Sequence, residues 1–202
     1  ANTVNANAES DTLMVGATAG VAVSTGQQGV ANIAGSVGVM QLDNNTTATI
    51  EDSRITADAI EAKAENKSRL INVAGQVSVS KGKVAAGLAT TTNILHNTTG
   101  AYVYGSELKG KEPTKGAALT VEADNNSEAY AVAVGVAVQA GQQGAALSGD
   151  VAVNKGVNNT EAIVGKKATG KGNAITVIDK VTIKAVDSTK LKAISGGVTV
   201  ST

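Results

Sequence analysis

Few residues of this chain have the types and spacing that catalysis requires. His96 is the only histidine and cysteine is absent, so neither a histidine cluster nor a thiolate metal site can form. The carboxylate pairs Glu51/Asp52 and Glu122/Asp124 are what acid–base cleavage of a polysaccharide would need. Glu122 and Asp124 are two positions apart on a predicted strand, which puts both on a solvated face. We therefore predict no enzyme activity, no catalytic residue, no metal and no cofactor.

The charge balance argues against two large classes of partner. The 17 basic and 17 acidic residues cancel, so nothing favours nucleic acid or an anionic membrane surface. No apolar run is long enough to span a bilayer. Phe and Trp are absent, so the core must be built from Val, Ile, Leu and Ala. We expect neither nucleic-acid binding nor membrane insertion by this segment.

Internal repeats organise the chain. Four segments of equal length align without a gap: AESDTLMVGATAGVAVS (8–24), AENKSRLINVAGQVSVS (64–80), ADNNSEAYAVAVGVAVQ (123–139) and AVDSTKLKAISGGVTVS (185–201). Their first residues, Ala8, Ala64, Ala123 and Ala185, are 56, 59 and 62 residues apart. The blocks do not vary in length, whereas the segments between them do. Such blocks must keep register with one another, as the stacked strands of a solenoid do.

The repeats predict an all-β fold, a parallel β-solenoid (β-helix-like) built from imperfect repeats of 56–62 residues. We expect one repeat array over 1–202, with units at about 4–59, 60–118, 119–180 and a partial 181–202, belonging to a larger chain. Equivalent strands would lie about 4.8 Å apart and stack identical side chains. An antiparallel hairpin in an ordinary β-sandwich is the alternative.

The alternation of side chains also predicts which faces are buried. In AIEAKAEN (59–66), small and apolar residues alternate with charged ones, which predicts one buried and one wet face. In residues 130–154, valines alternate with alanine and glycine. We predict two arms folded at the GQQG turn, with the valines meeting between them and another part of the coil covering the small residues. Val136→Asp should then unfold the protein.

Two Lys- and Gly-rich segments, 105–117 and 165–174, are predicted to project from the stack as loops. Because they follow corresponding landmarks in successive units, we expect their lysines to lie on one side and form a basic stripe: Lys109, Lys111, Lys115, Lys166, Lys167 and Lys171. Such a stripe suits salt-sensitive contact with an acidic partner. Alternatively, these lysines only keep the loops soluble and guard strand edges.

The phrase AVAVGVAVQAGQQGAALSGDVAVN, followed by NNTEAIVG and ITV, resembles repeats of large surface adhesins of anaerobic Gram-negative bacteria. These are leukotoxin-type, filamentous-haemagglutinin-like passengers of type V secretion. The second unit departs from the pattern, with KGK in place of GQQG.

The resemblance implies an exported protein at the bacterial cell surface. It also implies a stalk or passenger module for attachment to a host-cell protein or glycan. Two alternatives stay open, namely a fragment of a secreted cytotoxin and a polysaccharide-active β-helix enzyme. Open end coils further predict end-to-end or edge self-association.

Overall fold

The computed structural model describes residues 2–26, 31–112, 116–141, 143–167, 169–176 and 178–202. Ten strands follow in chain order: β1 Thr3–Ser24, β2 Asn32–Glu51, β3 Arg54–Ala57, β4 Ala59–Ser80, β5 Val84–Tyr104, β6 Glu107–Gly110, β7 Ala117–Gln139, β8 Ala145–Gly165, β9 Ala174–Thr176 and β10 Ile178–Ser201. They form three sheets, each parallel throughout: a four-stranded sheet β1-β4-β7-β10, a three-stranded sheet β2-β5-β8 and a short sheet β3-β6-β9. The prediction of an all-β parallel solenoid is confirmed, and the antiparallel sandwich is wrong.

The register of the four-stranded sheet is the one that the repeats predict. Ala8 pairs with Ala64, Ala64 with Ala123, and Ala123 with Ala185. The same alignment holds along the seventeen-residue blocks without a break, and the one register shift in this sheet lies earlier, between Ile178 and Lys180. Fixed block length in the sequence therefore reflects continuous parallel pairing between coils.

Each repeat forms one wide coil. Its two long strands face each other across the interior, and the short strand closes one end, which we call the base. A strand of 22 residues is about 70 Å long, whereas four stacked strands span only about 15 Å between the outermost backbones. The described coils therefore form a slab that is much wider than it is tall.

Beside the base, the interior holds the larger apolar side chains. Ile60, Val103, Leu108, Leu119 and Val121 are buried there together with stacked alanines. On the four-stranded sheet, outward residues of this part form ion pairs, with Lys184 bonded to Glu122 at 2.7 Å and Lys67 to Glu65 at 2.6 Å. This part of the coil, the base half, has the buried and wet faces that its sequence predicts.

A polar layer follows the base half inside the coil. Asn66 donates to Asn125 at 2.6 Å, and Asn125 donates to Asp187 at 3.2 Å, so one amide ladder runs through three coils. Asn97, from the facing sheet, donates to Ser127 at 2.7 Å. Asn66, Asn97, Asn125 and Ser127 are deeply buried, and their hydrogen bonds offset part of the cost of removing them from water, whereas Asp187 on the last strand is exposed.

The far part of the coil, which we call the valine half, has the opposite arrangement to our prediction. Val136 faces outward and is 37% exposed, whereas its neighbours Ala133 and Ala137 are buried. Val21 in the first coil is 71% exposed. The chain at 130–154 does form two facing arms, but alanines meet between them, with Ala133 packing in a cluster with Ala74 and Ala89. The prediction that the valines are buried was wrong.

Small inner side chains allow the two long sheets to approach closely in the valine half. A Cβ added to Gly20 would overlap the backbone of Gly35 on the facing strand. Side chains also reach across to backbone carbonyls, as Asn93 does to Tyr130 at 2.9 Å and Asn32 to Val79 at 2.6 Å. A valine has no room between sheets this close, which explains why the valines face outward.

Candidate functional site

The most elaborate surface of the described coils lies at the corner where the three-stranded sheet turns into the base. In the first two coils two residues make this turn, Asp52–Ser53 and Gly105–Ser106, and Asp52 and Gly105 have positive φ of 47° and 58°. In the third coil, residues 166–173 make the same connection. The first two turns stack directly, since Asp52 N donates to Tyr104 O at 3.1 Å and Glu107 N to Ser53 O at 2.8 Å.

The longer third turn is attached to the coil beneath it through Asn173. Its side-chain oxygen accepts a hydrogen bond from Ser106 N at 2.8 Å, and its amide donates to Val103 O at 2.9 Å. The backbone of Ala174 then donates to Ser106 O at 2.9 Å, which restarts the parallel pairing. These bonds attach the end of the third turn to the coil below it.

Between these turns lies an open cleft of about 810 Å³, which we call the corner cleft. It carries charges of both signs: Arg54 Nε lies 2.7 Å from Glu107 Oε2, and Asp52 and Lys171 also line it. The remaining lining residues are small: Ser53, Gly105, Ser106, Thr169, Gly170, Gly172 and Ala174. A cleft with small walls and both charge signs can hold a polar ligand through several hydrogen bonds.

Two tyrosines extend the corner cleft along the outer face of β5. The rings of Tyr102 and Tyr104 are stacked, with centroids 5.5 Å apart and planes at 15°. The hydroxyl of Tyr102 donates to Glu161 at 3.1 Å. Burial, followed by this hydrogen bond, raises the pKa of Tyr102 to about 12. Flat aromatic surface beside hydrogen-bonding groups is suited to the apolar face of a sugar ring or to a peptide side chain.

Lys167 connects the tyrosines to the third turn. Its ammonium forms an ion pair with Glu51 and lies 5.8 Å from the ring centroid of Tyr104. Lys167, Tyr104 and Glu51 also border the small recess that adjoins Lys171. This cation therefore joins the third turn to Glu51 and to the ring of Tyr104.

The six lysines predicted to form one stripe are divided by the structure. Lys166, Lys167 and Lys171 belong to the corner between β8 and β9. Lys109 faces outward on β6, where it pairs with Thr176, and Lys111 lies at the opposite end of the short strand, donating to Asn2 at 3.1 Å. Lys115 lies outside the described residues.

The expectation that the two loops occupy equivalent places was therefore wrong. One insertion follows the short strand and the other precedes it, so strand β6 separates them by more than 10 Å. The two segments follow corresponding parts of successive repeats at equal distances along the sequence. Those distances did not reveal on which side of the short strand each insertion lies. Whether any of these lysines contacts a partner stays a prediction.

The residues considered for catalysis lie apart from one another. His96 is exposed on β5, with Nδ1 3.2 Å from Asp43 Oδ1. Glu122 lies on the outer face of β7 and is paired with Lys184. No group of three or more histidine, cysteine, aspartate or glutamate side chains is placed to hold a metal ion within the described residues. Glu51 and Asp52 are the exception to this scatter, because both border the small recess beside the corner cleft.

Sequence reasoning overlooked the tyrosine pair. Tyr102 and Tyr104 are two positions apart, so they must share one face of a strand. They also precede a glycine, Gly105, that is followed by a serine, as at a turn. Those two signals together would have indicated an aromatic surface beside a corner.

Comparison with known proteins finds no matching protein-family model, curated protein or solved structure. Among the described residues, no helix has the length and apolar character to cross a membrane.

Proposed function

We propose that this chain is a structural and binding segment of a bacterial surface adhesin, which contacts a host-cell glycan or protein through the corner cleft. The resemblance of its repeats to those of exported adhesins supports a location at the cell surface. The observation that carries the binding role is the corner cleft itself, because it is built by an eight-residue turn, 166–173, where the other coils use two residues. An insertion that a stack does not need for pairing is where a binding surface is expected.

The shape of the coils favours a contact surface over a spacer. Each coil adds only about 4.8 Å to the height of the stack, although it uses about 59 residues. A chain that served only to gain length would gain little from coils this wide. The same residues provide broad side faces and a row of stacked corners, so we assign to this segment the role of a passenger module with lateral binding surfaces.

Stacking with further coils of the same kind is part of this proposal. On β10, Val181 and Ile183 are about half exposed, whereas Leu119 and Val121, their partners on β7, are buried. Another parallel strand placed on β10 would cover them and pair its backbone. The slab described here would then be one portion of a taller fibre.

The chemistry of the corner cleft favours a ligand that is polar and carries negative charge. Arg54 is paired with Glu107 and Lys167 with Glu51, whereas no ion pair engages Lys171 among the described residues. Lys171 is therefore the cation available to an acidic group. Tyr104 lies beside it and offers an apolar surface for the ring that carries the group. An acidic glycan has both features.

The test measures binding of the chain to sialylated and sulfated oligosaccharide arrays and to epithelial cells, at low and high salt. We expect salt-sensitive binding that falls at least tenfold in Lys171→Ser combined with Tyr104→Ala. Lys111→Ser is the matched control, because it removes a lysine at the other end of the short strand. Absence of binding by the unchanged protein, or equal losses in variant and control, would overturn the proposal.

A further inference from the structure

The outward side of the four-stranded sheet carries an uninterrupted apolar surface in the valine half. Four neighbouring columns of side chains cross all four strands, and we call them together the valine face: Ala17–Val73–Val132–Ile194, Ala19–Gly75–Val134–Gly196, Val21–Val77–Val136–Val198 and Val23–Val79–Val138–Val200. None of these sixteen positions carries a polar side chain. Val198, on the last strand, is 58% exposed.

The valine face is at the upper end of what a monomer leaves in water. Eight residues along the strand and four strands across cover about 26 by 19 Å, or about 500 Å². The largest apolar patch of an ordinary monomer measures about 300–600 Å² and is often functional. The facing sheet is different, because Thr90 and Thr92 interrupt its outer valine columns between Val37 and Val151 and between Val39 and Val153.

The valine face has relief as well as apolar character. Where Ala19 and Gly75 lie side by side, a groove of about 240 Å³ opens beside the Val21–Val77 column, and Val134 borders it in the third coil. The groove runs across the strands, so its natural occupant is a ladder of side chains repeated every 4.8 Å or so. Another stack of parallel in-register strands presents such a ladder, and Val21–Val77 on this same face is one.

We propose that two copies of this chain associate side by side through their valine faces, about a two-fold axis parallel to the stacking direction. In that arrangement the Val21–Val77 ladder of each copy enters the groove beside Ala19 and Gly75 of the other. The contact is isologous and closes at two copies. It also keeps both stacks pointing the same way, which allows each to continue into further coils.

Charge and area agree with this occupant. The outward column directly beside the valine face is Val15–Ile71–Tyr130–Lys192. The column beyond it contains both signs, with Arg69, Glu128 and Lys190, and the two-fold axis directs these charges to opposite sides of the pair. The dimer would bury about 1,000 Å², the lower limit for a specific interface, so one slab should pair weakly. Each added coil contributes about 125 Å² per copy, so pairing strengthens with stack height. This inference is independent of what the corner cleft binds.

Sedimentation equilibrium of the chain over about 1–300 µM tests the proposal. We expect the average mass to rise from the 20.0 kDa of one chain towards twice that value. Val77→Thr combined with Val136→Thr should weaken the association at least tenfold. The matched control is Val37→Thr with Val151→Thr, which makes the same change on the outer face of the other sheet and should alter the association less than twofold.

Threonine fits an outward position of the control column, since Thr90 already lies between Val37 and Val151 there. Unchanged thermal melting of each variant confirms that it folds. If Val77→Thr with Val136→Thr does not fold, Val21→Thr with Val198→Thr on the outer strands is tested in its place. A monomeric mass at every concentration, or equal weakening by the control, would overturn the proposal. The proposal would also be overturned if the protein stayed monomeric and floated with phosphatidylcholine vesicles, and if Val77→Thr with Val136→Thr abolished that flotation.

Discussion

The base half and the valine half of one coil place opposite side chains inside. In the base half, Leu119 and Val121 face inward and Glu122 faces outward. In the valine half of the same strand, Ala133 faces inward and Val136 outward. Alternation with period two is equally clear in both, so the period alone does not say which set is buried. The separation of the sheets decides it: large residues fit where the short strand holds the sheets apart, and only small ones fit where the sheets meet.

Replacing a valine by aspartate in each half gives the largest contrast. Val121→Asp places a carboxylate in the buried base cluster and should destabilise the fold by about 3 kcal/mol or more. Val136→Asp changes an outward residue and should cost about 1 kcal/mol or less. Chemical denaturation of both variants, at concentrations too low for self-association, measures the difference.

A large cost for Val136→Asp, comparable to that of Val121→Asp, would mean that the outer face of the valine half is covered within the folded chain. The two halves would then not differ in which side chains they bury, and the burial of the valines predicted from the sequence would be correct. A small cost for both would instead show that the base cluster contributes little to stability.

The close approach of the sheets is tested by a methyl group. In Gly20→Ala, the new Cβ would overlap the backbone of Gly35, which a flexible side chain cannot relieve, so we expect a loss of about 1–3 kcal/mol. Gly196→Ala is the matched control on the outer face, where a Cβ meets nothing within 4 Å. It should be neutral or stabilise by up to about 1 kcal/mol, because alanine restricts the unfolded chain.

Thermal and urea unfolding of the two alanine variants supply the measurement. Equal stabilities would indicate that the sheets of the valine half separate at little cost. The small inner side chains would then not be the reason for the outward valines.

The sequence predicts pairing better than it predicts burial. Fixed spacing among the blocks is a consequence of parallel pairing, so aligning Ala8, Ala64 and Ala123 gives the register directly. Burial depends on how far apart two sheets lie, and this is set by residues distant in sequence, such as Gly20 and Gly35. A ladder of valines looks the same on either side of a sheet. The alanines and glycines that alternate with the valines were the signal in the sequence that the valines face outward.

The corner cleft was predictable only in its parts. Lys- and Gly-rich composition predicts a loop over 165–174, and the structure has a connection between strands at 166–173. Its position relative to the short strand was not readable, because β9 has only three residues and little pattern of its own. Tyr104 and Lys171 come together across coils, and their proximity follows from the stacking register of this corner and not from spacing along the chain.

The outer face of the base half offers the smallest test, through the titration of Tyr102. Because burial and the bond to Glu161 raise the pKa of this phenol from 10.0 to about 12, the folded state holds the proton more tightly than the unfolded state. The stabilisation is fully present below about pH 10 and is lost as the pH rises through about 12. Since the ring is partly exposed, we expect a modest effect, measured as the difference in unfolding midpoint between the unchanged protein and Tyr102→Phe. That difference should be constant up to about pH 10 and shrink above it, because Phe has no proton to lose while the lysines titrate alike in both proteins. A difference that stays constant to pH 12 would show that Tyr102 ionises equally in both states, so that the outer face of the base half is as open to water as the valine face.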